Sequence, residues 1–167
     1  MIPLRTKEQI AGIREAGRLA GRLRRELGRR VAPGVTTKEL DAFAERFMLA
    51  HGAEPAQKGY HGYPYAICAA VNDVVCHGMP DDRPLQSGDL VTLDFVVKLG
   101  GWMADTAYTY EVGDVSPEAK RLRRCAYAAM MRAISVVRPG RRVGDVATAV
   151  MRTAEAERFG IVSQYGG

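Results

Sequence analysis

The chain has 167 residues, 47% of them hydrophobic and 26% charged, and a formal net charge of +5. That length supports one domain with a sizeable core. No apolar run reaches the roughly 20 residues of a membrane-spanning helix, and the opening Met-Ile-Pro-Leu-Arg-Thr-Lys-Glu lacks the apolar stretch of a secretory leader.

Three cysteines, Cys68, Cys76 and Cys125, are odd in number and lack zinc or redox spacing, so the expected compartment is a reducing cytoplasm. Nineteen arginines against five lysines carry the positive charge. A basic balance of this kind is compatible with a nucleic-acid neighbour without establishing one.

Thr6 to about Val31 reads as a helix, opened by a capping box of Thr6 and Gln9. Ile10, Ile13, Gly17, Ala20, Leu23, Leu27 and Val31 recur at helical spacing and predict its buried stripe. Arg14, Arg18, Arg22, Arg25 and Arg29 fall on another face, which is either a solvated charged surface or a patch that meets a phosphate-rich surface such as ribosomal RNA. Ala32-Pro33-Gly34-Val35 ends the helix, and Thr36 with Glu39 forms a second capping box. The helix that follows buries Leu40, Phe43, Phe47 and Met48 and closes at His51-Gly52. Residues 53–64 form a loop with the ring cluster Gly59-Tyr60-His61-Gly62-Tyr63-Pro64, which either shapes a pocket or packs the loop down. Tyr65–Val71 and Val74–His77 read as strands around the turn pair Asn72-Asp73, placing His77 at a strand end. Met79 to Gly88 is a loop.

Residues 90–110 read as a hairpin about Lys98-Leu99-Gly100-Gly101. With the turn centred between Leu99 and Gly100, Asp94 faces Asp105, with Cβ atoms about 4.5–5.5 Å apart. Two carboxylates held so close destabilise the hairpin unless a shared proton or a cation lies between them, and hard cations favour converging oxygens. The plain alternative is two aspartates on a solvated face. Beyond the hairpin, Ser116-Pro117 caps a helix running to about Val137, and Asp145 to Phe159 forms another, closed by Gly160.

The chain contains a repeat: Val31-Ala-Pro33-Gly34 and Leu40 recur as Val137-Arg-Pro139-Gly140 and Val146, 106 residues on. Each copy joins a long helix to a second amphipathic helix, and repeated units of this kind pack to bury what neither buries alone. One domain over 1–167 is therefore expected, with a first βα repeat over about 6–110 and the helices of an incomplete second repeat over about 116–160.

Gly59-Tyr-His-Gly-Tyr-Pro64, Asn72-Asp-Val-Val-Cys-His77-Gly-Met-Pro80, Gly88-Asp-Leu-Val-Thr-Leu-Asp94 and Ala104-Asp105-Thr106 together resemble bacterial type I methionine aminopeptidases. The resemblance runs from about residue 5 to the last residue. It implies an α/β (α+β) pita-bread fold, with two pseudo-symmetric halves around a curved antiparallel sheet. It also implies removal of the N-terminal methionine from nascent polypeptides by two divalent metal ions (Co, Mn, Fe or Zn). Asp94 and Asp105 match metal ligands, His77 a catalytic residue at the scissile peptide, and Tyr60, Tyr63 and Cys68 the methionine pocket. A cytoplasmic enzyme, monomeric at full length, without a membrane and with the Arg14–Arg29 face toward a ribosome surface, is the expectation.

The sequence departs from that pattern in three places. The remaining ligands, one histidine and two glutamates, are expected downstream of Tyr165-Gly166-Gly167, so the 167-residue chain is expected to be incomplete and inactive alone. Gln57 stands where many relatives carry a pocket cysteine, and Val96 replaces a threonine near the first aspartate. A non-catalytic binding module of the same fold is the alternative, but it leaves the facing carboxylates without a purpose.

Overall fold

Both capping boxes form as the sequence predicts. The Thr6 hydroxyl accepts from the Gln9 N–H while the Gln9 side chain accepts from Thr6, and Thr36 and Glu39 do the same. In the computed structural model, which describes residues 3–162, these caps open α1 (Lys7–Gly28) and α2 (Thr37–Ala50). The chain divides into two compact units, Met1–Val115 and Ser116–Gly167. Tyr165-Gly166-Gly167, beside which the resemblance places a further ligand, lies outside the described residues.

In the first unit a four-stranded antiparallel sheet is built on β3 (Leu90–Leu99). One edge of β3 pairs along its whole length with β4 (Trp102–Glu111). The other edge therefore carries both β2 (Cys68–Val71), paired at residues 91–94, and the short β1 (Glu54–Pro55), paired at 97–98. β3 alternates strictly: Val91, Leu93, Phe95 and Val97 are fully buried in the core shared with α1 and α2, and Thr92, Asp94 and Val96 point to the opposite face.

The buried stripe of α1 matches the predicted one at Ala20, Leu23 and Leu27 and departs from it in the N-terminal half of the helix. It runs Ala16, Leu19, Ala20, Leu23 and Leu27, while Ile10, Ile13 and Gly17 are exposed. The large rings of β4 set this side. A Cβ on Gly12 would stand 2.2 Å from the Trp102 ring, and one on Gly28 would stand 2.7 Å from Tyr110. The Tyr110 hydroxyl also donates to the Arg24 carbonyl at 2.5 Å, close to where α1 ends, three residues before the predicted Val31.

Two other expectations are corrected. Val74–His77 forms no strand: after the Asn72-Asp73 turn the chain leaves the sheet, and His77 takes a left-handed φ of 54°. The β3–β4 turn is centred between Gly100 and Gly101, one residue later than expected, so Leu99 pairs with Trp102. Both glycines adopt positive φ, 57° and 82°, as the two central positions of a tight hairpin turn require.

The second unit is a helical hairpin, α3 (Pro117–Val136) with Ser116 as its cap and α4 (Val143–Ala156), which starts two residues earlier and ends three residues earlier than predicted. Cys125, Ala129 and Ala154 are its buried residues.

Candidate metal centre

The turn position decides how the two aspartates meet. Asp94 pairs with Ala107 and Asp105 with Val96, so they are diagonal neighbours rather than directly opposed. The shift of two positions preserves the face, and the 2.8 Å bond between the Thr92 and Thr109 hydroxyls marks the same side of the ladder. Diagonal partners lie about 7–8 Å apart at Cα, within reach of two carboxylate side chains. Burial raises the Asp94 carboxyl above its ordinary range, and the charge and hydrogen bond of Asp105 push it the same way, while His77 pulls it down.

His77 reaches this neighbourhood because Gly78 docks on β2. The Ala69 N–H donates to the Gly78 carbonyl at 2.8 Å, and a Cβ at Gly78 would stand 2.3 Å from the Ala69 oxygen. Only glycine permits that approach.

Cys68, opposite Asp94 in the β2–β3 register, links the aspartates to a cluster of side chains. Burial pushes its thiol up, the neighbouring Tyr63 hydroxyl opposes the rise, and Asp94 adds to it. The Tyr63 hydroxyl is shared between the carbonyls of Ile67 (3.0 Å) and Gly78 (3.3 Å), and burial raises its pKa strongly. Both groups therefore stay protonated and uncharged near neutral pH. Tyr60 stands apart from them: it is 69% exposed on a single 3-10 turn (Tyr60–Gly62), its ring edge-on to His61.

Two contributors carry no local sequence signal. Asp41, buried on α2, accepts from the backbone N–H groups of Ala66 (2.8 Å) and Ile67 (3.0 Å) and so anchors the start of β2 from 25 residues away. Gln57 donates to the Cys68 sulfur at 3.6 Å, and its Oε1 is the one buried side-chain polar atom without a hydrogen-bond partner among the described residues. Such orphans are rare and call for a physical reason.

Carboxylates on rigid adjacent strands, short of positive charge, fit one side of a hard-cation site. Among the described residues no group of three or more His, Cys, Asp and Glu side chains completes it.

An antiparallel sheet backed by two helices and a following helical hairpin are elements of the pita-bread fold. The chain belongs to metallopeptidase family M24, whose family pattern matches residues 11–167. Over 166 residues it is 42% identical to the methionine aminopeptidase of Rickettsia prowazekii, covering 99% of this chain and 64% of that protein. It is 37% identical to methionine aminopeptidase 1 of Bacillus subtilis, covering 100% and 67%. The crystal structure of the Rickettsia prowazekii enzyme superposes with a TM-score of 0.97 over 99% of this chain and 66% of that one. Prolidase from Pyrococcus furiosus shares the fold, with a TM-score of 0.82 at 21% identity. The chain thus spans about two thirds of the length of the relatives it matches.

Proposed function

We propose that the chain supplies the carboxylate side of a two-cation site in an aminopeptidase that removes methionine from the N-termini of nascent polypeptides, as a cytoplasmic monomer. The observation that carries this reading is the pair Asp94 and Asp105 on one sheet face, with burial first and then the charge of Asp105 raising the Asp94 carboxyl. Co, Mn, Fe and Zn all suit oxygen donors of this kind to some degree. A divalent cation held by the pair would neutralise it and lower the pKa of a bound water.

The chain's own side chains do the rest. His77, held by the Gly78 contact, offers a donor to the carbonyl oxygen of the first peptide bond as negative charge develops there. Tyr63 and Cys68, both kept neutral by burial, offer an uncharged, polarizable wall that suits a thioether and disfavours a charged side chain. Tyr60, exposed on its turn, would close on that pocket from the solvent side. A ribosome contact through the α1 arginines rests on Arg14 and Arg25, because Arg18 and Arg29 pair with Glu15 and Glu26 and Arg22 lies against His51 and Phe47.

The test mixes residues 1–167 with the C-terminal third of the Rickettsia prowazekii relative in Mn²⁺ and measures methionine release from Met-Gly-Met peptides. Release that needs both parts and is lost in Asp94→Ala supports the reading. Residues 1–167 are expected to be inactive alone, since two carboxylates leave a cation mostly hydrated. Full turnover by residues 1–167 alone, unaffected by Asp94→Ala, would sink it.

A further inference from the structure

The repeat seen in sequence is also a structural repeat, and its two copies differ in how the groove between their helices is filled. α2 and α4 are both 14-residue helices lying 106 residues apart, and Gly34 and Gly140 in the preceding turns adopt the same left-handed φ, 90° and 85°. In the first unit the groove between α1 and α2, on the side away from Leu23, Leu27, Leu40 and Met48, is filled by rings. Phe43, Phe47 and His51 form a ladder with centroid spacings of 6.0 and 4.3 Å. Arg30 lies 3.7 Å above Phe43, and Arg22 lies 5.9 Å from Phe47. What remains open is about 390 Å³.

At the equivalent positions of the second unit, Phe43, Phe47 and His51 become Ala149, Thr153 and Glu157. The ladder is gone, and a groove of about 940 Å³ lies between α3 and α4, floored by Ala128, Ala149 and Ala156. Both grooves are lined by arginines, but the acidic partner within the first is exchanged for another arginine in the second. Glu26, which neutralises Arg29 and Arg30, corresponds to Arg132. Exposed Arg124, Arg132 and Arg152 line the groove and take part in no ion pair among the described residues. Arg121 alone is matched, by Glu157 and the Phe159 ring. The imbalance is general. Residues 116–167 hold ten Lys and Arg against four Asp and Glu, whereas residues 1–115 hold fourteen against fifteen, so the second unit carries all the excess positive charge.

We propose that the α3–α4 groove docks an acidic peptide segment bearing aromatic side chains, whose rings take the places that Phe43 and Phe47 fill in the first unit. Its carboxylates meet Arg124, Arg132 and Arg152, for which arginine's planar fork is well suited. The first unit shows that rings fit this groove under guanidinium groups. A nucleic acid is the poorer fit, because no aromatic side chain lines the groove to stack on a base. The volume accommodates two or three side chains. This site is independent of the aspartate pair.

The test uses residues 1–167 and fluorescence anisotropy with a labelled Asp-Glu-Phe-Glu-Asp-Phe-Glu-Glu peptide, its Phe-to-Ala analogue and a 20-nucleotide oligouridylate. Saturable peptide binding is expected, weakened about tenfold or more by Arg132→Glu with Arg152→Glu, as expected for loss of complementary charge. Ala149→Phe with Thr153→Phe, which rebuilds the ladder and leaves the charges intact, should abolish it. Helical circular dichroism checks the fold of each variant, and the arginine pair, being exposed, decides the matter if the filled variant does not fold. Absence of binding, equal affinity for the Phe-to-Ala analogue, tighter binding of oligouridylate, or affinity unchanged in a folded variant each overturns the proposal.

Discussion

The backbones of Gly78 and Ala69 touch: the Gly78 carbonyl accepts the Ala69 N–H at 2.8 Å, with no room for a Cβ between them. This contact ties the His77 loop to β2, one residue from Cys68. Gly78→Ala must push the loop off the strand, so a loss of about 1–3 kcal/mol in urea unfolding is expected, in the range of a lost buried hydrogen bond with local strain. The His77 imidazole NMR signals should shift more than those of His51, which sits on α2. Unchanged stability would show that the loop yields freely and does not position His77.

Asp89 organises the entry to β3. It is 7% exposed and accepts from the Gln86 N–H (3.0 Å), the Asn72 side chain (2.7 Å) and Arg83 (3.2 Å). Burial raises its carboxyl, but these donors together outweigh burial and hold it below the ordinary range. A depressed carboxylate stabilises the fold above its unfolded pKa, and that contribution is lost as pH falls through the folded value. The window therefore lies below the ordinary aspartate value of about 3.9. Asp89→Ala should cost about 1–3 kcal/mol at pH 7 by leaving the Asn72 and Gln86 donors unpaired. The difference between the two proteins should shrink in melts taken at decreasing pH within that window. A constant difference would show that the ionised carboxylate is not what matters.

Asp94 has the opposite sign. Its folded carboxyl is raised, so the native chain binds this proton more tightly than the unfolded chain, and the site's stabilising effect declines as pH rises through the folded value. Without metal at pH 7, Asp94→Asn should leave the chain more stable, on the order of 1 kcal/mol or less, by relieving a like-charge pair. Mn²⁺ should raise the melting temperature of the unmodified chain and not that of the variant. A variant less stable than the parent without metal would show that Asp94 makes a structural bond outweighing its repulsion.

What could be read from the sequence follows the range of the interactions. The Thr6–Gln9 and Thr36–Glu39 caps span three residues, and both formed as read. The hairpin was legible only up to parity. β-branched runs about a glycine pair specify a turn, but either Leu99-Gly100 or Gly100-Gly101 could centre it, and the two choices leave Asp94 and Asp105 on the same face. The exposed Ile10 and Ile13 mislead because the side of α1 that packs is chosen by Trp102 and Tyr110, some 90 residues away. Val74–His77 has strand composition, yet the chain leaves the sheet there and returns to β2 only at Gly78, whose carbonyl accepts from Ala69. The meeting of Gln57 with Cys68 has no sequence periodicity to announce it.

Gln57 offers the last prediction. Its Oε1 is buried without a donor, while its amide group makes only a long contact to the Cys68 sulfur, a weak acceptor. A buried unsatisfied carbonyl costs about 1–3 kcal/mol, whereas an apolar group of the same shape there costs nothing comparable. Methionine matches glutamine in length and, like it, is unbranched at Cβ and Cγ, while its Sδ–Cε end carries no polar fork. Gln57→Met should therefore raise stability by about 1 kcal/mol and move the urea midpoint upward with an unchanged slope. The double variant Gln57→Met with Cys68→Ala separates the two groups. If the sulfur contact were the stabilising element, Gln57→Met would lose stability when Cys68 is present and lose none when it is combined with Cys68→Ala. A loss of equal size in both backgrounds would mean that Oε1 has a partner of its own, and that the amide is held in place by an interaction other than Cys68.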